Sequence, residues 1–219
     1  MQKNFSLIEK KYGQPKLLKM SFPLNLREFT NLKESMEDGR NSDVTMFIFK
    51  GDKVIVISKP WYPPGLYRAP SGGVRPGENL DEVALREAHE ETGAKIKLQR
   101  YVLRIEVTFS HSQKDVIWTS HIFTARYLSG KIKPIDTREI KEAKLLSLKE
   151  LSSLKPLLLK TRSGGLAYRA ALTQKVIEEI KKTWGQSMNC PYKSPKDGRG
   201  PRRSGISPGS TSASPPKTT

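Results

Sequence analysis

Three glutamates, Glu87, Glu90 and Glu91, lie within five residues of each other in the segment REAHEETG. On a helix, the spacing i, i+3 and i+4 places their carboxylates on one face, where they repel each other. The negative end of the helix macrodipole adds to this cost. A bound Mg²⁺ or Mn²⁺ would reverse both effects, because these ions take oxygen ligands from clustered carboxylates, water and phosphate. A solvated acidic patch is the alternative interpretation.

The residues around the glutamates predict a helix that packs on a core. Asn79 is a favourable N-cap, with Glu82 three residues later as in a capping box, and Gly93 is a favourable stop. An apolar stripe with helical spacing consists of Leu80, Val83, Ala84 and Ala88. The glycine-rich turn SGGVRPGE leads directly into this helix and allows the backbone to approach a ligand closely. This turn favours the metal-site interpretation over the acidic patch.

The same stretch resembles the Nudix box. That pattern is a glycine, five residues, a glutamate, seven residues, then Arg-Glu, an aliphatic residue, any residue, Glu-Glu, any residue, glycine and an aliphatic residue. Here the pattern begins with Gly72 and Glu78 and continues through REAHEETGA at 86–94, so every fixed position is filled. Ala88 and Ala94 are small for the aliphatic positions. A weaker resemblance to the wider Nudix domain extends from Asp43 to Leu151.

The resemblance implies an α/β fold, namely an α/β/α sandwich around a mixed β-sheet in which the box forms a loop, a helix and a loop. It implies that Glu87, Glu90 and Glu91 bind Mg²⁺ or Mn²⁺, with the Gly72 carbonyl as a further ligand. Arg86 would orient the carboxylates through an ion pair and complete the catalytic set. The implied role of Glu78 is structural or supporting.

The reaction implied by the family is hydrolysis of a nucleoside diphosphate linked to another moiety, by water attack on phosphorus. The metal would neutralise phosphate oxygens and lower the pKa of a bound water. Candidates for the general base are Glu87, Glu139 and Glu142, and the sequence does not decide among them. Glu139 is also a candidate for contact with the substrate.

Substrate specificity is expected from residues outside the box. The loop PWYPPGLYRAPSGG at 60–73 contains aromatic residues that could stack on a nucleobase and arginines that could meet phosphate. These candidates are Trp61, Tyr62, Tyr67, Arg68 and Arg75. The alternative is that the aromatic residues pack the loop onto the domain. In the family, enzymes acting on ADP-ribose tend to have a proline shortly after the box, and those acting on dinucleoside polyphosphates tend to have a tyrosine there. Here no proline lies between Lys95 and Lys133, and the tyrosines do not have that spacing. This is mild evidence against both substrates.

Composition predicts one globular domain with two additions. With 219 residues and 36% hydrophobic residues, the chain can bury one core. We predict an N-terminal strand and helix extension at 1–40, a catalytic domain at 41–185, and a disordered tail at 186–219 that is rich in Pro, Ser, Gly and basic residues. The net charge of +17 suggests polyanionic partners. Either a nucleic-acid-binding arm or an inert tail is consistent with the tail sequence.

The sequence contains one cysteine, Cys190, and no apolar run long enough for a signal peptide or a membrane span. We therefore expect a cytoplasmic protein without an internal disulfide or a membrane association. Its oligomeric state does not follow from the sequence.

Secondary structure can be predicted for most of the chain. We expect a strand at 15–22, a helix at 27–39, a hairpin formed by 44–50 and 53–59, strands at 95–109 and 116–128 joined by a loop at 110–115, and a helix at 165–184.

Three functions compete at this point. The first is a metal-dependent hydrolase of a small nucleotide, such as a nucleoside triphosphate or a nucleotide sugar. The second is a pyrophosphohydrolase acting on RNA 5′ ends, favoured by the basic charge. The third is a non-catalytic nucleotide-sensing module, which the retention of all box glutamates disfavours.

Overall fold

A computed structural model describes residues 2–186. The helices are α1 (Gln2–Tyr12), α2 (Leu26–Ser35), α3 (Leu80–Thr92), α4 (Leu148–Ser153), α5 (Lys155–Lys160) and α6 (Gly164–Gln186). The strands are β1 (Lys16–Pro23), β2 (Ser42–Lys50), β3 (Lys53–Ser58), β4 (Ser71–Val74), β5 (Lys95–His111), β6 (Lys114–Ser129) and β7 (Glu142–Ser147). The predicted tail, apart from its first residue, lies outside the described residues.

Within residues 2–186, seven strands form one mixed sheet. Its order is β1-β5-β6-β2-β3-β7, and β4 pairs with β2. The β1–β5 and β2–β6 pairs are parallel, whereas the remaining pairs are antiparallel. The predicted mixed sheet is therefore confirmed.

Helices cover both faces of the sheet because the central strands are apolar on both sides. On β2, Val44, Met46 and Ile48 pack in one core with α1 and α3. Phe47 and Phe49 point to the other face, into a core shared with α2, α4 and α6. A strand buried on both faces reads as a continuous apolar run, as VTMFIFK does. The α/β/α sandwich predicted from the resemblance is confirmed.

The helix that carries the three glutamates begins and ends as predicted. Leu80 is its first residue, and Gly93 closes it in the left-handed conformation with φ of 67°. A Cβ on Gly93 would lie 2.5 Å from the carbonyl oxygens of Lys131 and Lys133, so no larger residue fits there. The capping box does not form, because the Asn79 side chain makes no capping hydrogen bond.

Some elements differ from the sequence-based prediction. The loop expected at 110–115 is only a two-residue turn, with Ser112 at φ of 55°, because β5 and β6 extend further than their apolar runs. Helix α2 ends at Ser35 and not near Gly39. Helices α1, α4 and α5 were not predicted. In α1, Ile8 and Tyr12 contact the core around Phe123, which is a tertiary contact that the local pattern does not reveal.

A buried histidine lies on the face of the sheet that α1 and α3 cover. His121 is 1% exposed, and its Nδ1 is hydrogen-bonded to the hydroxyl group of Tyr101. Burial lowers the pKa of His121 to about 4; Asp43 opposes this shift and Arg104 adds to it. His121 is therefore neutral at physiological pH.

The burial of His121 predicts a pH dependence of stability. The unfolded chain binds this proton near pH 6.5, whereas the folded chain binds it only near pH 4. Stability is thus fully present above pH 6.5 and is lost as the pH falls towards 4. Between pH 7 and 4, we expect the free energy of unfolding of the wild type to fall by roughly 3 kcal/mol more than that of His121→Gln. Urea denaturation of both proteins across this range measures the difference, and equal slopes would contradict the assignment.

Candidate active site

The turn between β4 and α3 brings Gly72 against Glu87. A Cβ built on Gly72 would lie 1.9 Å from Cδ of Glu87, so the missing side chain creates the space that this carboxylate occupies. The Glu87 side chain is only 16% exposed. Burial raises its pKa, while the neighbouring Arg86 partly offsets this effect. The close approach of Glu87 therefore explains why a glycine, which has no side chain, stands at the start of the box.

Arg86 joins two of the three glutamates. Its Nη1 lies 2.8 Å from Oε1 of Glu87 and 3.0 Å from Oε2 of Glu90. The guanidinium thereby offsets the repulsion between two carboxylates on one helix face. The resemblance implied such ion pairs for Arg86, and its role in orienting the carboxylates for catalysis stays a prediction.

Glu91 is the most deeply buried of the three glutamates, at 5% exposure. Its Oε2 accepts a 2.7 Å hydrogen bond from the backbone N–H of Ser71, and its Oε1 lies 3.8 Å from Nη2 of Arg68. Burial raises the pKa of Glu91 to about 7, although Arg68 and Lys59 act in the opposite direction. The charged form of this carboxylate is therefore destabilised unless further positive charge is near it.

A loop between β6 and β7 is attached to the C-terminal end of α3. The backbone N–H groups of Ile135 and Asp136 donate to the carbonyl of Glu90, and that of Lys133 donates to the carbonyl of Thr92. These contacts satisfy carbonyls that the last helical turn leaves without partners. The loop carries Glu139, which we expected near the substrate.

Lys59 lies at the edge of this site, although sequence reasoning did not identify it. Its Nζ is 3.4 Å from Oε2 of Glu139 and 5.0 Å from the centre of the Trp61 ring. Trp61 is 66% exposed, so one face of a large aromatic ring is available beside a cation. In the sequence, only the position of Lys59, directly after β3 and before the proline-rich loop, could have pointed to it.

Arg68 and Tyr67 point into the protein and not into solvent. Nη1 of Arg68 donates to the carbonyl of Ala69 and to Oγ of Ser71, and its Nε donates to the hydroxyl of Tyr62. Tyr67 is 7% exposed and donates to the carboxylate of Glu142 at 2.8 Å. The structure therefore gives these two predicted substrate residues protein partners, which fits the packing alternative.

Arg75 lies beyond the end of β4, in the loop that leads to α3. Its backbone N–H donates to Oε2 of Glu78, and its side chain is exposed. Arg75 and Glu78 line a cavity whose walls contain none of the three clustered glutamates. Arg75 thus lines this cavity, and its contact with the substrate stays a prediction, whereas Glu78 stabilises the turn.

The three glutamates fit a divalent cation only after their side chains rearrange. Within residues 2–186, no group of three or more His, Cys, Asp or Glu side chains is already gathered as a metal site. Glu87 and Glu90 are paired with Arg86, and Glu91 is turned towards Ser71. However, the burial that raises the pKa of Glu87 and Glu91 is the cost that a cation would offset, and oxygen donors are what Mg²⁺ and Mn²⁺ prefer. The residues therefore fit such an ion once the ion pairs with Arg86 open.

The hydrogen bonds of Arg68 predict that this residue contributes to the stability of the fold. Arg68→Lys keeps the charge but removes the planar group that serves Tyr62, Ala69 and Ser71 together. We expect the free energy of unfolding to fall by about 1–3 kcal/mol, because buried acceptors lose their partners. Chemical denaturation measures this change. Arg126→Lys, at an exposed position, is the matched control and should behave as the wild type; a similar loss in both variants would contradict this role for Arg68.

The chain is similar to proteins of one known family. The model of the NUDIX domain matches residues 39–166. An NAD-capped RNA hydrolase NudC of Chromobacterium violaceum is 33% identical over 109 residues, which are 50% of this chain and 38% of that protein. The corresponding protein of Vibrio parahaemolyticus is 28% identical over 137 residues, 63% of this chain and 47% of that protein. The chain thus spans less than half the length of these curated relatives.

Solved structures are also similar. A NUDIX hydrolase from Nitrosomonas europaea has a TM-score of 0.46 and 21% identity, covering 65% of this chain and 89% of that chain. A UDP-X diphosphatase has a TM-score of 0.44 and 18% identity, covering 68% of this chain and 71% of that chain. No helix among residues 2–186 has the length and apolar character needed to cross a membrane.

Proposed function

Because this chain belongs to the Nudix family, we propose that it is a metal-dependent hydrolase that cleaves the pyrophosphate linkage of a nucleoside diphosphate joined to another moiety. One observation carries the proposal: Glu87, Glu90 and Glu91 share one end of α3, where Gly72 makes room for the first and Arg86 pairs with two of them. Family membership and the NudC relatives support a pyrophosphohydrolase.

Nudix enzymes generally use divalent metal ions, and we propose Mg²⁺ or Mn²⁺ for this chain. Glu87, Glu90 and Glu91 would hold the ion together with the carbonyl of Gly72. When bound, the ion supplies positive charge that stabilises phosphate oxygens and lowers the pKa of water. The fit rests on the oxygen donors and on the burial of Glu87 and Glu91.

Among the candidate bases, we propose Glu139. Its side chain is 66% exposed and, among residues 2–186, contacts only Nζ of Lys59, at 3.4 Å, so it can turn towards a water beside the phosphate. Glu142 is already engaged by the Tyr67 hydroxyl, and Glu87 lies against Gly72. Glu139 also contributes to the raised pKa of Glu87, which indicates that the two carboxylates are near each other.

The substrate's base is proposed to stack on Trp61, with Lys59 beside the phosphates. Trp61 presents an exposed ring, and Nζ of Lys59 lies 5.0 Å from the centre of that ring. Stacking on an aromatic side chain contributes about 1–3 kcal/mol per base. The leading substrates are therefore nucleoside triphosphates, nucleotide sugars or similar small nucleotides.

RNA carrying a nucleotide at its 5′ end is the second candidate. Two observations favour it: the NudC relatives are NAD-capped RNA hydrolases, and this chain has a net charge of +17. Within this hypothesis, the predicted division into 1–40, 41–185 and a basic tail at 186–219 remains a proposal. Deletion of 186–219 should weaken RNA binding, and that binding should fall steeply with salt if phosphate contacts dominate.

A substrate panel tests the proposal. The panel comprises nucleoside triphosphates, nucleotide sugars, NAD, ADP-ribose, dinucleoside polyphosphates and RNA with a 5′-triphosphate or NAD end, each with Mg²⁺, with Mn²⁺ and with a chelator. We expect cleavage of one class that the chelator abolishes. Nucleotide binding without any cleavage would instead support the non-catalytic sensing module and contradict the enzyme.

A further inference from the structure

Exposed cations form a strip at the end of the sheet where β5 begins and β6 ends. The members of this basic strip lie on β5, on β6 and in the loop that follows β6, and they are Lys95, Lys97, Arg100, Arg126, Lys131 and Lys133. Among the described residues, none of them forms an ion pair with a carboxylate, whereas other exposed lysines such as Lys11 and Lys16 do. The basic strip therefore presents positive charge that the fold does not neutralise.

Two of these cations face each other across the strands. Lys97 and Arg126 are partners in the antiparallel register of β5 and β6. The next pair along, Leu98 and Ala125, packs in the core under α1 and α3. Because successive side chains alternate between faces, the two cations project together from the opposite face. Like charges directly opposite on a sheet are destabilising, and a bound anion removes that cost.

Arg100 continues the basic strip towards α6. It is the register partner of Thr124, which lies two positions before Arg126 and so on the same face of β6. Its Nη1 donates to the hydroxyl of Thr183 on α6, which uses one of the five N–H donors of the guanidinium. From Lys95 to Arg100 the strand extends roughly 17 Å, enough to meet more than one phosphate of an extended chain.

The other end of the basic strip meets the end of α3 that carries the three glutamates. The backbone N–H of Lys133 donates to the carbonyl of Thr92 at 3.0 Å, and that of Ile135 donates to the carbonyl of Glu90 at 2.9 Å. These hydrogen bonds hold the loop that contains Lys131 and Lys133 against the helix. The row of cations therefore runs from α6 to the carboxylate site.

We propose that the basic strip binds the phosphodiester backbone of a single-stranded nucleic acid whose 5′ end lies at the box carboxylates. A row of cations matches a chain that carries one phosphate per unit, and such contacts position the chain without reading its sequence. The inference rests on the proposed function for the position of the 5′ end. Binding of the backbone itself does not require cleavage.

Fluorescence anisotropy of a labelled, unstructured RNA of about 16 nucleotides tests the proposal, with the full chain and at several salt concentrations. The RNA has a 5′-hydroxyl group and a chelator is present, so that cleavage and binding through a metal do not contribute. For Lys97→Gln/Arg126→Gln we expect affinity at low salt to fall about tenfold or more. The slope of log affinity against log salt should become shallower by about 1.4, because each lost phosphate contact contributes about 0.7.

A matched double variant separates position from net charge. Lys114→Gln/Arg27→Gln removes the same two charges at exposed positions, since Lys114 begins β6 and Arg27 lies on α2. It should bind the RNA within about twofold of the wild type. Lys97→Arg/Arg126→Lys keeps both charges and should also retain affinity, and circular dichroism verifies that each variant is folded.

Three results would overturn the proposal. The first is wild-type affinity in Lys97→Gln/Arg126→Gln, and the second is an equal loss in the matched double variant, which would show that only net charge acts. The third is saturable binding to phosphatidylserine vesicles without binding to RNA, which would assign the basic strip to a membrane surface. The proposed hydrolysis is tested separately: RNA binding as expected, with no cleavage of any substrate in the panel, would contradict the enzyme and support the basic strip.

Discussion

Glu91→Gln is expected to reduce turnover by about a hundredfold or more while the protein stays folded. The substitution removes the charge of the most buried carboxylate at the site, and with it a ligand of the proposed cation. Glutamine has the same shape and can still accept the hydrogen bond from the Ser71 N–H. We therefore expect the free energy of unfolding without metal to change by less than about 1 kcal/mol.

Steady-state kinetics with saturating Mg²⁺ and urea denaturation with chelator measure these two effects. Glu82→Gln is the matched control, because Glu82 is an exposed glutamate in the first turn of the same helix. It should retain full activity and lose only a few tenths of a kcal/mol, roughly what its contact with the helix dipole contributes. Wild-type turnover in Glu91→Gln would show that the metal-site assignment is wrong.

Gly72→Ala is expected to reduce turnover to a similar extent, for a steric reason. The new methyl group would lie 1.9 Å from Cδ of Glu87, so the carboxylate must move away from its position. The same clash should lower the free energy of unfolding by about 1–3 kcal/mol. Activity assays and chemical denaturation of the variant measure both losses.

A second substitution separates the clash from any backbone effect. In Gly72→Ala/Glu87→Ala the clash is gone, so stability should recover relative to Gly72→Ala, whereas activity should remain low. Gly165→Ala is the control, since its Cβ would be 3.5 Å or more from its neighbours. If the double variant were as unstable as the single one, the strain would come from the backbone, and the steric account of Gly72 would fail.

The spacing of the three glutamates was sufficient to predict that they lie on one helix, near the same end of it. The helix stop at Gly93 was also predictable, because few residues other than glycine adopt its positive φ. By contrast, the pattern suggested a capping box at Asn79 that does not form. In the structure, the backbone N–H of Glu82 donates to Oδ1 of Asp81, with 3.2 Å between the nitrogen and the oxygen. The local sequence therefore predicted where the helix begins and ends, but it did not predict the hydrogen bonds of the first turn.

The direction of a side chain in the loop before the box was not predictable. Arg68 reads as an exposed phosphate ligand, but its backbone pairs with Ile57 of β3 and its side chain turns towards Glu91. That direction depends on a carboxylate 23 positions later in the chain, which no local pattern contains. Lys59 was missed for the same reason, since its relation to Trp61 and Glu139 exists only in three dimensions.

The cavity that Arg75 and Glu78 line could not be predicted either. Its walls come from α1, β1, the box loop and the β5–β6 pair, which are far apart in the sequence. Helix α1 has few apolar residues, and it is held mainly by tertiary contacts such as that of Tyr12 with Phe123. Residues from such distant segments meet because of the order in which the strands and helices pack. Their spacing in the sequence does not reveal it.

The central claim is that the box carboxylates hold a divalent cation that the hydrolysis requires. Its most direct test is to titrate Mg²⁺ against cleavage of the best substrate of the panel, with the wild type and Glu90→Gln in parallel. We predict no cleavage by the wild type in chelator, saturable activation by Mg²⁺, and little or no activation of Glu90→Gln. Cleavage by the wild type that persists in chelator, or equal activation of both proteins, would contradict the claim.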